Sequence, residues 1–296
     1  MMFENIIGNE KNKELLKNII NSGSASHSYI FSGAEGIGKY LFAKEFAKGM
    51  LCLDEKNKPC GRCKSCLQME GSNNPDFFQI NSDGSSIKIE QIRGMNKNIL
   101  EKPIVSKRKV YIINNSEQMT KEAQNSLLKT LEEPPEYAVI ILISSNDNMF
   151  LNTIKSRCVK ISFNKLTDDE IKKILPNVSD SLLKMADGSV GRAIGMQGKE
   201  DTYELLSNTF SRLENTNMID MLKCKDSIFK DKEDAYTTLE YINQIFFDLL
   251  NKNINDGRYI KCIEIVENTK DRLKKNSNFD MTIDRFLITA WEAVQV

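Results

Sequence analysis

A single histidine, His27, stands in 296 residues. A relay of nucleophile, imidazole base and orienting acid would have to be built on that one ring, and its place directly before an apolar strand suits a structural role better. Excess charge is missing too: 41 Lys and Arg are balanced by 41 Asp and Glu. Affinity for nucleic acid comes mostly from surplus basic residues, so the chain by itself is not built to grasp a DNA or RNA strand, although it can form one wall of a channel shared with other subunits. No run of eighteen apolar residues occurs, which argues against a membrane-spanning helix. The start, Met-Met-Phe-Glu-Asn, turns polar within five residues and does not read as a signal peptide. The expected location is the cytoplasm, with no membrane partner.

Cysteine is the one reactive residue type present in a pattern. Of seven, four lie at Cys52, Cys60, Cys63 and Cys66, while Cys158, Cys224 and Cys262 are isolated. Two overlapping C-x2-C steps, with Gly61 in the first knuckle, can wrap a tetrahedral zinc ion. Four thiolates leave no open coordination position, so the expected zinc is structural, worth roughly 10–16 kcal/mol of apparent binding energy to local folding. The alternative is four free or redox-active thiols. A metal site also fits a reducing compartment better than disulfides do.

The stretch that organises the chain is Tyr29-Ile-Phe31, then Gly33-x4-Gly38-Lys39, then an amphipathic helix from Tyr40 to about Leu51. Strand, glycine-rich loop and helix in that order form a phosphate-binding loop. Gly33, Gly36 and Gly38 let backbone N–H groups turn inward around phosphate oxygens, the helix start adds its positive dipole end, and Lys39 supplies a point charge for the outer phosphates. The next position calls for a Ser or Thr hydroxyl to hold magnesium, and it is Tyr40. The strand Val110–Ile113 should end in carboxylates that bind the metal and polarise water. It ends in Asn114-Asn115, and an amide is neither a general base nor a good ligand for a hard cation. Three groups that metal-assisted phosphoryl transfer uses are therefore absent together. ATP or ADP binding at the loop stays open, and turnover is not expected.

Strands are expected also at Asp76–Ile80, Ala138–Ile143 and Val159–Ser162. Helices are expected over Glu10–Asn21, Ile87–Leu100 and Thr120 to Glu133, the last stopped by Pro134-Pro135. The basic triplet Lys107-Arg108-Lys109 reads as a solvated loop, with a phosphate contact the lesser alternative. Alternating strands and helices imply an α/β fold with a mostly parallel sheet and helices on both faces. From Leu166 the pattern is helical only, opening with a capping box at Thr167–Glu170. Domain boundaries are expected near 164 and 202: a nucleotide-binding-like domain over 1–164 carrying the cysteine module at 52–66, a small helical lid over 165–201, and a helical domain over 202–296.

Four features in this order, the loop at Gly33–Lys39, the cysteine module, Gln124-Asn-Ser-Leu-Leu-Lys-Thr-Leu-Glu-Glu-Pro-Pro135 and Ser156-Arg157-Cys158, resemble the clamp-loader subunits of bacterial DNA polymerase III, a branch of the AAA+ superfamily. The motifs cover the first two hundred residues, and the helical remainder matches by architecture. The resemblance implies a AAA+ P-loop domain, a helical lid and an all-α collar through which five subunits form a ring. It implies that Arg157 is the arginine finger offered in trans to the ATP site of a neighbouring gamma/tau ATPase subunit, and that Arg192 is the lid arginine that touches nucleotide in active relatives. It also implies partners: the gamma/tau and delta subunits in a hetero-pentamer and, through the complex, the sliding clamp and primer-template DNA. With Tyr40, Asn114 and Asn115 the expectation is a non-catalytic ring member. The alternatives are a divergent ATP-hydrolysing gamma/tau-like loader subunit or nucleotide kinase, with Glu117 or Asp147 replacing the lost acid although Glu117 lies beyond the strand end, and a zinc-based DNA-binding protein. The last has Arg62 and Lys64 near its ligands but no aromatic residue between them to stack bases.

Overall fold

The computed structural model describes residues 2–83, 86–229, 232–252, 257–275 and 277–295. The chain divides into two compact units, Met1–Val178 with Ala186–Gly195, and Ser179–Met185 with Met196–Val296. The segment 165–201 is thus shared between them.

In the first unit α1 (Glu10–Ser22) leads into β1 (Ser28–Ser32) and α2 (Lys39–Leu51). Then follow α3 (Lys64–Glu70), β2 (Phe77–Ile80), α4 (Ile89–Asn98), β3 (Lys109–Ile113), α5 (Lys121–Glu132), β4 (Ala138–Ser144), α6 (Asn152–Lys155), β5 (Val159–Ser162) and α7 (Asp168–Ile174). The five strands form one sheet in the order β2-β3-β4-β1-β5, every neighbouring pair parallel. Crossover helices cover both faces of such a sheet, so its central strands read as continuous apolar runs. β1, β3 and β4 are buried at every residue. The two-residue period still sorts the side chains. Tyr29, Phe31, Val110, Ile112, Val139 and Ile141 face α1 and α2, where Leu16, Phe42 and Phe46 complete one core. Ile30, Tyr111, Ile113, Ile140 and Leu142 face α4, α5 and α6 and pack on Ile92, Leu127 and Ile154.

The ends of the elements follow local chemistry. The Thr120 side chain accepts the Ala123 N–H at the start of α5, and Thr167 and Glu170 close a reciprocal capping box on α7. The basic triplet departs from the solvated loop expected of it. Lys109 is buried, and its Nζ donates to the carbonyls of Asn98 at 2.7 Å and Glu101 at 3.2 Å, so it neutralises the C-terminal end of α4. Arg108 donates to the Gly23 carbonyl and Lys107 pairs with Glu55.

The second unit is helical: most of α8 (Asp180–Ala186), the last residue of α9 (Val190–Met196), then α10 (Glu200–Phe210), α11 (Met218–Lys223), α12 (Lys225–Ile228), α13 (Lys232–Lys252), α14 (Gly257–Lys274) and α15 (Phe279–Gln295). On α13, Leu239, Ile242, Ile245 and Phe246 recur at helical spacing and are buried as its core face, with Leu249 half-buried. Phe246 meets Phe210 edge-on with ring centres 5.8 Å apart, and Phe286 packs on both Phe210 and Phe229. Among the described residues no helix is long and apolar enough to cross a membrane.

Candidate functional site

Parallel strands collect binding groups beyond their carboxyl ends, and the phosphate loop stands there, between β1 and α2. Gly36 and Gly38 adopt φ of +73° and +91°, conformations that a side chain would strain. The loop is closely covered: a Cβ on Gly36 would lie 2.3 Å from the Ser189 Oγ and 3.0 Å from the Gly191 Cα. The Gly191 N–H donates to the Gly36 carbonyl at 2.9 Å. The first turn of α9 is thereby seated on the loop, and Arg192 follows directly, its own N–H donating to Ser189 Oγ and its side chain exposed.

Lys39 is buried and turned back on the loop, its Nζ donating to the carbonyls of Gly33 at 2.7 Å and Ala34 at 2.6 Å. Burial holds its pKa below the ordinary lysine value, against the opposing pull of the Glu117 and Glu35 carboxylates. Tyr40 directs its hydroxyl to the edge strand β2, donating to Gln79 Oε1 at 2.7 Å while its ring packs on the core. Its oxygen is engaged with that strand rather than with the loop.

At the end of β3, the Asn114 N–H continues the sheet by donating to the Ile80 carbonyl. Asn115 takes a left-handed conformation, φ +48°, and caps a short 3-10 turn over Ser116–Gln118. That turn carries Glu117, which lies beyond the strand end. Glu117 Oε1 accepts from the Ser145 hydroxyl at 2.5 Å and from the Ser145 N–H at 3.2 Å. Its Oε2 is buried with no hydrogen-bond partner among the described residues, and its charge acts on Lys39. Asp147, the other candidate acid, is bound to Lys160 at 2.5 Å, and that bond together with one from the Ser32 side chain holds its pKa below the usual carboxylate range.

Arg157 stands at the other edge of the sheet. It precedes β5, and its carbonyl accepts the hydroxyl of Ser28, the first residue of β1, at 2.7 Å. Its guanidinium places Nη2 on Glu132 Oε1 at 2.8 Å and Nη1 on the Thr153 carbonyl at 2.8 Å, with a longer bond from Nη1 to Ser156 Oγ at 3.4 Å. The phosphate loop begins after Ser32, at the far end of the same strand, roughly 13 Å away at the rise of an extended chain. Burial raises the half-buried Cys158 thiol to about 11, against the lowering effect of its hydrogen bond with Ser28.

The four clustered cysteines come together as expected, all Sγ atoms within 4.8 Å of one another. A tetrahedron of thiolates around zinc at about 2.3 Å has sulfur–sulfur edges of about 3.8 Å, and the Cys52 and Cys63 sulfurs already stand 4.0 Å apart. Backbone N–H groups of Cys60, Cys63 and Cys66 point at the sulfurs of Cys52, Cys60 and Cys63 at 3.3–3.4 Å. Burial would raise the Cys63 thiol, but the N–H groups of Leu53 and Cys66 and its thiol neighbours outweigh it and bring the group down to about 6. The donor set fits zinc, which when bound would tie the loop at 52–63 to α3.

Residues 8–167 match the family model described as DNA polymerase III, delta subunit. A DNA polymerase III subunit delta' of Bacillus subtilis is 28% identical over 91% of this chain and 85% of its own length. A subunit tau/gamma of Haemophilus influenzae is 31% identical over 74% of this chain, which spans only 35% of that relative. The crystal structure of a DNA polymerase III gamma subunit-related protein from Thermotoga maritima superposes with a TM-score of 0.51 at 20% identity, covering 94% of this chain and 99% of that one, a likeness of fold.

Proposed function

Since the chain belongs to the DNA polymerase III delta-subunit family, we propose that it is the delta-prime type of clamp-loader subunit. In this reading it is a non-hydrolysing ring member that lends Arg157 to the ATP site of a neighbouring gamma/tau-type ATPase. It assists ATP-dependent loading of the sliding clamp on primed DNA in the cytoplasm, within a ring that also contains the delta subunit. The reading divides the chain into a AAA+ domain over 1–164, a lid over 165–201 and a collar over 202–296, with Cys52, Cys60, Cys63 and Cys66 on a structural zinc.

One observation carries it: the loop and the arginine stand at opposite ends of β1. Arg157 is therefore out of reach of its own chain's phosphates and free to serve another's. A guanidinium supplied in trans to a transferring phosphoryl group is worth about 10³–10⁵ in rate. The loop with Gly33, Gly36, Gly38, Lys39 and Arg192 keeps the shape of a nucleotide site, while Tyr40 is committed to Gln79 and Asn114 and Asn115 bring no carboxylate.

A second reading, a divergent gamma/tau-like ATPase, has Glu117 in its favour, because that carboxylate lies near enough to Lys39 to act on its charge. ATP turnover separates the two. The purified chain alone should consume no ATP with magnesium, and the reconstituted complex should lose most of its turnover when Arg157→Ala is the only change. Magnesium-dependent turnover by the isolated chain that Glu117→Gln abolishes would establish the second reading instead.

A further inference from the structure

We propose that Glu132 is the positioning residue for Arg157, fixing the guanidinium in the pose from which it is offered to the neighbouring subunit. The inference rests on the trans-arginine reading above and adds a residue to it.

An arginine at the mouth of a sheet has a long flexible stem, and delivering it to a partner's phosphate costs the rotamer freedom it still holds. Here much of that freedom is already spent. One terminal nitrogen donates to the Thr153 carbonyl and the other to Glu132 Oε1, each at 2.8 Å. Neither contact is a two-pronged clasp. A guanidinium carries five N–H donors, so further donors stay available for phosphate oxygens.

Glu132 is itself in an awkward place. It is the last residue of α5, where the negative end of the helix dipole disfavours an anion. Its one ion pair among the described residues is with Arg157. The backbone beneath it is fixed, since Leu127 and Leu131 of the same helix are buried in the core and Pro134 stops the helix two residues on. A rigid helix end thus presents a carboxylate whose use is to hold the arginine. With 34% of the Arg157 and 49% of the Glu132 side chain exposed, the pair is screened and adds little to folding. Its loss should register in turnover and not in stability.

The test uses the full chain in the reconstituted clamp-loader complex, with steady-state ATP turnover as the readout. Glu132→Ala should lower kcat and kcat/KM together by about two- to fivefold, the size of an exposed ion pair lost from a transition-state pose, with the melting temperature unchanged. Glu132→Gln, which keeps the acceptor oxygen, should recover most of the rate. Combined with Arg157→Ala, Glu132→Ala should add nothing. The inference is overturned, with the trans-arginine reading intact, if Arg157→Ala is impaired while Glu132→Ala turns over at or above the wild-type rate. It is overturned likewise if Glu132→Gln is no better than Ala, or if Glu132→Ala costs as much without Arg157 as with it. Wild-type turnover by Arg157→Ala sinks the underlying reading and this inference together.

Discussion

Gly191 donates its backbone N–H to the carbonyl of Gly36 at 2.9 Å, which fixes the start of α9 to the turn of the phosphate loop. The contact exists only because neither residue has a side chain: a Cβ on Gly191 would sit 2.8 Å from the Gly36 Cα. Arg192 inherits its place beside the loop from this pairing.

Gly36→Ala should therefore be costly. It adds the strain of φ +73° to a collision with Ser189 and Gly191, and about 1–3 kcal/mol of stability is expected to go from the strain alone. Gly38→Ala has a similar φ, +91°, with open space around the added atom, so it should lose less. Thermal unfolding of the two variants side by side checks this, and equal losses would mean that the close approach contributes nothing.

Replacing Arg157 by Ala in the assembled complex should depress hydrolysis at the ATP site it serves by about 10³-fold or more. Arg157→Lys should recover only a small part, because an ammonium cannot reproduce the fork with which the guanidinium binds both its holders and a phosphate. Size-exclusion chromatography of the mutant complex should show assembly unchanged.

The cysteine module should hold one zinc per chain, measurable by elemental analysis of the purified protein. Chelation, or Cys66→Ala, should remove it and lower the melting temperature, since the binding energy of such a site is folding energy for its segment. Hydrogen exchange should speed up over 52–70 first. Full zinc occupancy in Cys66→Ala would refute the four-ligand assignment.

Cys158 gives the loop of Arg157 a pH dependence. Its folded pKa of about 11 lies above the ordinary value of 9, so folding favours the neutral thiol. That contribution is complete below pH 9 and is lost as the pH rises to 11. Over that window wild type should lose up to about 2–3 kcal/mol relative to Cys158→Ala, read by urea unfolding at pH 8, 9, 10 and 11. Parallel curves for the two proteins would show that the thiol is not tuned by its surroundings.

Much of this molecule was legible in the chain. The apolar runs at Tyr29–Phe31, Val110–Ile113 and Ala138–Ile143 could only be strands covered on both faces, and the double proline after Glu133 had to end α5. The gathering of Cys52, Cys60, Cys63 and Cys66 was announced by their spacing. Such features are local: a few consecutive side chains fix the backbone conformation or the ligand set, whatever the rest of the protein does.

What the tertiary structure decided are the pairings across long separations. Sequence put Glu117 past the end of its strand, and a 3-10 turn brings its charge to bear on Lys39. It put Lys109 in solvent, and the sheet buries it under the end of α4. It gave no sign that Glu132 would meet Arg157 or that Gly191 would lie on Gly36, because partners 25 or 155 positions apart are matched by the order of parallel strands and not by anything in their neighbours along the chain. Because β1 and β5 run parallel, Arg157, which precedes β5, and the phosphate loop, which follows β1, stand at opposite ends of β1, a separation that only the pairing of the strands imposes.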